Sequence, residues 1–176
     1  EYQLAPSMQD AMLNVGFGGV VKAVLGGAAK VLGLGAELVS GMEYGALDSL
    51  GRPTGISATI TQDTIGTGTS AARSIIPPGY TPDAGLARGH LLGAQLGGSG
   101  SEVRNLVTIQ QNPANSPVMR TFENQVRSAA SGGETIQYSV TPIYRGSNPI
   151  PCGITICGNG NQGFNLGVTV LNPPGF

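Results

Sequence analysis

The first forty residues follow a different pattern from the rest of the chain. From Ser7 to Gly41, in a run that includes VGFGGVVKAVLGGAAKVLGLGAELVSG, apolar residues lie nearly all round a helix. Ser7, with Asp10 three residues on, offers a cap for a first short helix. At about 100° per residue, Lys22, Lys30 and Glu37 fall within roughly one quadrant and leave a narrow polar edge. Gly19, Gly26 and Gly33 recur every seven residues, a stripe that lets another helix or a sheet approach closely. The lysines interrupt the ~20 consecutive apolar residues that a membrane span needs. The block predicts a glycine-rich helical segment over residues 1–42, packed on the following domain or on a larger parent protein. A membrane-active delivery segment and a linker without fixed structure stay open as alternatives, since each Gly costs a helix roughly 1 kcal/mol relative to Ala.

Beyond Glu43 the period changes. Arg52-Pro53-Thr54-Gly55 reads as a turn. Ile56, Ala58 and Ile60 then alternate with Ser57, Thr59 and Thr61, the mark of a half-buried strand. DTIGTGTSAARS is loop-like, with room for a short helix after Ser70, and IIPPGYTPDAG is a further irregular connection. Leu86 to Leu92 and Asn105 to Gln110 predict two strands around the glycine-rich GAQLGGSGS. A helix follows, with Ser116 as N-cap, Pro117 at its first position, an apolar stripe of Met119, Phe122 and Val126, and a stop at Ser131-Gly132-Gly133. Tyr138, Val140 and Tyr144 share one face of a period-2 segment. Ile154 with Ile156, and Val168 with Val170, predict two more strands. Strands, one well-marked helix, then more strands make an α+β domain on a central antiparallel sheet over residues 43–176.

Composition adds three points. Glycine is abundant (29 residues), tryptophan is absent and charged residues are 11%, against 40% hydrophobic residues, which excludes a disordered chain and favours tight turns and close backbone approaches. The net charge of −1 excludes attachment to nucleic acid by bulk charge alone. The distribution is more telling: Arg88, Arg104, Arg120 and Arg127 stand between Ala84 and Ala130 against only Glu102 and Glu123, and guanidinium suits bidentate phosphate contacts. Cys152 and Cys157 cannot make a zinc site unaided; a local disulfide and two reduced thiols both remain open. No signal peptide is visible, and the opening Glu-Tyr-Gln reads as a piece cut from a longer protein.

The single histidine leaves no choice of imidazole base. It stands in Ala87-Arg88-Gly89-His90-Leu91-Leu92, and imidazole titrates close to neutrality, as a general base should. Alone, a histidine beside two leucines is more often structural. The stretch downstream, SEVRNLVTIQQNPANSPVMRTFENQV, changes that reading. His90, Asn105-Leu106-Val107, Asn115 and Glu123, in that order, resemble the DNA/RNA non-specific endonuclease family with the ββα-metal fold, whose motif is Asp-Arg-Gly-His. The resemblance runs from about Tyr44 to the C-terminus, and GRPTG and TPIYRGSNPIP are similar to members found as toxin domains of bacterial polymorphic toxins.

The resemblance implies a metal-dependent endonuclease that hydrolyses DNA, RNA or both. His90 is then the base, Asn115 the direct ligand of Mg²⁺ or another divalent cation such as Mn²⁺, and Glu123 a ligand through water. Arg88 stabilises charge at the phosphate, Asn105 supports the site, and Arg88, Arg104 and Arg120 are candidate phosphate contacts. It also implies an antibacterial toxin, secreted or injected into a target cell, with a cognate immunity protein and a larger parent toxin or delivery protein. Each residue has a plainer role open to it: Glu123 can pair with Arg127 or Arg120, Asn115 can cap a turn, and Asn112 is a rival ligand. Ala87 departs from the family's Asp, which puts the support of the site in question. Two other functions stay on the page: a membrane-perturbing effector acting through the N-terminal segment, and a non-catalytic nucleic-acid-binding module.

Overall fold

The computed structural model describes residues 41–82 and 84–173, so the helical segment expected over residues 1–42 lies almost wholly outside the described residues. The elements run β1 (Met42–Tyr44), β2 (Ile56–Ile60), β3 (Leu86–His90), β4 (Leu106–Gln110), α1 (Arg120–Ser131), β5 (Ile136–Ile143), β6 (Gly153–Gly160) and β7 (Asn165–Leu171). Five strands form an antiparallel sheet in the order β1-β2-β5-β6-β7, and β3 and β4 form a separate antiparallel pair. The expected α+β architecture on a central antiparallel sheet is present, and β3, β4 and α1 supply its ββα unit.

Alternation decides which face of the sheet is buried. Ile56 pairs with Val140 and Val140 with Ile156, while Ala58 pairs with Tyr138. These side chains, with Ile60, Ile136, Ile154, Leu166 and Val170, are all buried. Against them pack Val126 and Ala130 of α1, Met119 before it, Val107 and Ile109 of β4, and Leu91, Leu92 and Leu96 after β3, making one core. Each Val, Leu or Ile so buried contributes about 1.5–3 kcal/mol. The core therefore clamps the ββα unit onto the sheet and fixes what it carries.

Three local expectations need adjustment. No helix follows Ser70; a 3₁₀ turn forms at Gln62–Thr64 instead, where the Thr64 hydroxyl accepts the Thr61 amide, while the segment after Ser70 is tied to the Gly100 carbonyl by the Ala72 amide and closes only a single turn, from the Ile75 amide to the Ala72 carbonyl. The helix is capped as expected: Ser116 has extended backbone (φ −142, ψ 125) ahead of Pro117, Met119 is already helical, and the Arg120 amide donates to the Pro117 and Val118 carbonyls, so the helix runs on into α1, while Ala114 and Met119 are buried. Cys152 and Cys157 are both free thiols, which closes the disulfide alternative. Strand β1 was not legible, being only three residues long. The turn expected over Arg52–Gly55 lies earlier, at Asp48–Gly51, where the Gly51 amide donates to the Asp48 carbonyl, and Pro53 instead bridges Leu47; Arg52 pairs with Asp48 at 2.7 Å, lies 4.3 Å from the Tyr144 ring centroid and donates to the Gly146 and Asn148 carbonyls.

Candidate active site

His90 ends β3, and the backbone around it is tied down at once. Leu91 N–H donates to the Asn105 carbonyl at 2.8 Å. The fully buried Asn105 side chain accepts the Leu92 amide at 2.8 Å and donates to the Leu92 and Ser99 carbonyls at 3.1 and 2.9 Å. One side chain thus fastens the chain leaving the histidine to the glycine-rich loop that follows.

That loop is zipped to residues 66–72, here called the strap. Gly66 N–H donates to the Gln95 carbonyl, Thr69 N–H to Gly98, Gly100 N–H to the Thr69 hydroxyl and Ala72 N–H to Gly100, all at 2.8–3.0 Å. A Cβ on Gly68 would overlap the Ala94 and Gly98 carbonyls, and one on Gly100 the Ser70 carbonyl, so side chains are excluded where the two segments touch. The strap's purpose shows at Thr69, whose carbonyl lies 2.9 Å from His90 Nε2. A carbonyl only accepts, so Nε2 carries the proton and Nδ1 keeps its lone pair. Burial holds the imidazolium below its ordinary pKa, opposed in part by the Thr69 carbonyl. The ring is therefore neutral near pH 7, with Nδ1 unpartnered among the described residues.

The second wall is α1. Arg120, Glu123, Asn124 and Arg127 stand three, four and seven residues apart, so they share one helix face. They line a cavity of about 600 Å³ together with His90, Asn115 and Gln95. Asn115 Nδ2 donates to Gln111 Oε1 at 3.1 Å, which leaves Oδ1, the atom able to ligate a cation, unengaged. Glu123 Oε2 accepts from Gln95 Nε2 at 3.0 Å, and no ion pair joins Glu123 to Arg120 or Arg127 among the described residues. Burial pushes the Glu123 carboxyl up, against the Gln95 amide and the Arg120 charge. The donor set is one amide oxygen and one carboxylate. It suits a hard cation that keeps most of its waters.

Of the residues singled out from sequence, His90, Asn115, Glu123 and Arg120 meet at this cavity, and Asn112 does not line it. Asn105 lies behind it. Arg88 is outside the lining, with its guanidinium 5.1 Å from the Tyr80 ring centroid and 3.5 Å from the Arg73 carbonyl. Arg104 is also outside, bound to Glu102 through Nε and Nη2 at 2.8 Å each. Ala87 packs against the apolar core, one residue out of phase with His90 on β3. Sequence reasoning missed Gln95, and placed Arg127 in the basic stretch without naming it among the phosphate contacts. The seven-residue step from Arg120 to Arg127 was the available signal for the latter; Gln95 had none.

A neutral, backbone-held imidazole facing hard oxygen donors and arginines is an arrangement chemically able to cleave a phosphodiester. Residues 36–161 match the model of the DNA/RNA non-specific endonuclease family, and the chain belongs to that family. It is a nucleic-acid hydrolase of the endonuclease class, in a family dependent on divalent metal. Among solved structures it is similar to NucA from Streptococcus agalactiae with magnesium ion bound (20% identity, 82% of this chain and 78% of that one, TM-score 0.64). It is also similar to Sda1 nuclease with bound zinc ion (22%, 76% and 74%, TM-score 0.67) and to an extracellular nuclease (23%, 80% and 89%, TM-score 0.55). At these identities the likeness speaks for the fold. No curated protein matches the chain.

Proposed function

We propose that the chain cleaves DNA, RNA or both with little sequence preference, using His90 as general base and a divalent cation held at Asn115 and Glu123. The observation that carries this reading is the meeting, at one cavity, of an imidazole with its Nδ1 lone pair free and two oxygen-donor side chains. His90 Nδ1 takes a proton from the attacking water as its oxygen bonds to phosphorus and the bond to the leaving oxygen breaks. Asn115 Oδ1 ligates Mg²⁺ or Mn²⁺ directly and Glu123 acts through water. The bound cation supplies positive charge that stabilises the leaving oxygen and the crowded phosphorus. Arg120 and Arg127 grip phosphates from the helix, and Arg88 contributes from beyond the lining. Arg104, committed to Glu102, is given no role.

In the same reading the domain is an antibacterial toxin, secreted or injected into its target. An immunity protein covers the arginine-lined cleft in the producing cell, and a larger parent toxin or delivery protein carries the chain. The likeness of GRPTG and TPIYRGSNPIP to toxin domains supports this, and a structural neighbour named as an extracellular nuclease favours secretion. Residues 1–42 are proposed as the pretoxin or delivery region and 43–176 as the nuclease domain.

The test uses supercoiled plasmid and total RNA, each in Mg²⁺ and in EDTA, with the unmodified chain, His90→Ala and Asn115→Ala. The expected result is Mg²⁺-dependent degradation, reduced about 10²–10⁴-fold without the base and lost with Asn115→Ala. Absence of cleavage with every divalent metal tried sinks the proposed chemistry.

A further inference from the structure

Gln95 occupies the middle of a 3₁₀ turn, Ala94–Leu96, between the two walls of the cavity. Its main chain and its side chain serve different walls. The carbonyl accepts the Gly66 amide at 3.0 Å and so anchors the strap that presents Thr69 to His90. The amide Nε2 donates to Glu123 Oε2 at 3.0 Å, the single side-chain hydrogen bond that the carboxylate accepts among the described residues. Glu123 also lies flat against Gly93: a Cβ there would stand 2.6 Å from the carboxylate carbon and from both of its oxygens. With one oxygen taken by Gln95 and one side covered by Gly93, the carboxylate has one rotation and one oxygen, Oε1, left to offer.

The donor's chemistry matters as much as its place. Arg120 and Arg127 line the same cavity, yet neither forms an ion pair with Glu123 among the described residues. A guanidinium on this carboxylate would cancel the charge that attracts a cation. A neutral amide orients the carboxylate and leaves its charge intact.

We propose that Gln95 is a positioning residue of the nuclease: it fixes the rotation of the Glu123 carboxylate so that Oε1 faces the hydration shell of the divalent cation. This rests on the role proposed above for Glu123. The rival is a plain fastener between loop and helix, which would show in stability alone.

The test compares the full chain with Gln95→Met, which keeps length and removes the donor, with Gln95→Lys, which keeps a donor and adds charge, and with Glu123→Gln. Mn²⁺ binding is titrated calorimetrically without nucleic acid, melting is followed in EDTA, and kcat and KM for plasmid nicking are separated. Loss of an outer partner of a metal ligand typically costs 10–100-fold in metal affinity or activity. Gln95→Met is expected to weaken Mn²⁺ binding about 10-fold and lower kcat in step, with KM and melting unchanged. Gln95→Lys is expected to weaken Mn²⁺ as well, although the helix stays fastened. Unchanged Mn²⁺ affinity and kcat in both Gln95 variants, alongside an impaired Glu123→Gln, overturns the role of Gln95 and leaves that of Glu123 standing. A fall in melting temperature with Mn²⁺ affinity unchanged also overturns it, in favour of the fastener. A Glu123→Gln chain that binds Mn²⁺ and cleaves normally overturns the role of Glu123 and, with it, that of Gln95.

Discussion

The two walls of the cavity are built on opposite principles. The wall behind His90 is main chain on main chain: strap and loop meet through four hydrogen bonds, two glycines exclude side chains at the contact, and a carbonyl rather than a side chain orients the imidazole. The wall bearing Glu123 is a helix whose working groups are side chains at regular spacing, steadied by single side-chain bonds. Backbone geometry cannot be removed by replacing one reactive group. It can be broken by adding a methyl where none fits. The two walls should therefore fail differently: one by loss of fold, the other by loss of chemistry.

The largest effect is expected on the backbone-built wall. In Gly98→Ala the new Cβ meets the Leu92 carbonyl and lies 3.0 Å from Asn105 Nδ2. Neither partner can yield, since Asn105 is buried and holds three hydrogen bonds. Overpacking against main chain lies at the upper end of its usual range, about 3 kcal/mol. For a domain of this size that lowers the melting temperature by roughly 10 °C. A thermal melt in EDTA checks it. An unshifted Gly98→Ala would show that the loop yields easily, and the contrast between the walls would collapse.

The same contrast explains what the sequence disclosed. The helix wall was legible because its residues are local: Arg120, Glu123 and Arg127 announce a shared face by spacing, and Ser116-Pro117 and Gly132-Gly133 bracket the helix. The strands of the sheet were legible by alternation, as at Ile56, Ala58 and Ile60. The strap was not. Nothing in GTGTS says that the Thr69 carbonyl will face a histidine twenty-one residues on, because that contact is set by which loops lie side by side. Gln95 stayed hidden for the same reason. Arg88 and Arg104 show the converse limit: composition marked a basic stretch, but charge in a row does not tell which guanidinium is already committed, as Arg104 is to Glu102.

A smaller and purely functional effect is expected where the walls touch. Gly93 has φ −59 and ψ 147, which any residue adopts. In Gly93→Ala the three atoms nearest the added Cβ all belong to the Glu123 carboxylate, the far end of a flexible side chain. Moving that end costs little, and loss of a glycine restrains the unfolded chain by about 0.4–1 kcal/mol. Melting should stay level or rise slightly, while nuclease activity falls about 10–100-fold as the carboxylate is displaced. Parallel melts and plasmid nicking separate the two. A variant that loses stability and activity together would mean that this part of the helix wall is backbone-limited too.

The smallest effect concerns pH, and it sharpens the account of the strap. Burial disfavours the His90 imidazolium, so the folded pKa lies below the unfolded value of 6.5. As pH falls through 6.5 the unfolded chain takes up the proton first, and stability drops until the folded ring also titrates. Above 6.5 the term vanishes. The native chain should therefore lose melting temperature between neutral pH and about pH 5 relative to His90→Asn, whose amide donates to the Thr69 carbonyl but does not titrate. The comparison is made in EDTA, so that no cation contributes. The acid limb of kcat/KM should likewise fall below the ordinary imidazole range, since the base form persists to lower pH. Parallel melting curves for the two chains across this range would mean that the ring is not buried as the strap requires, and that Thr69 leaves Nδ1 no more available than solvent would.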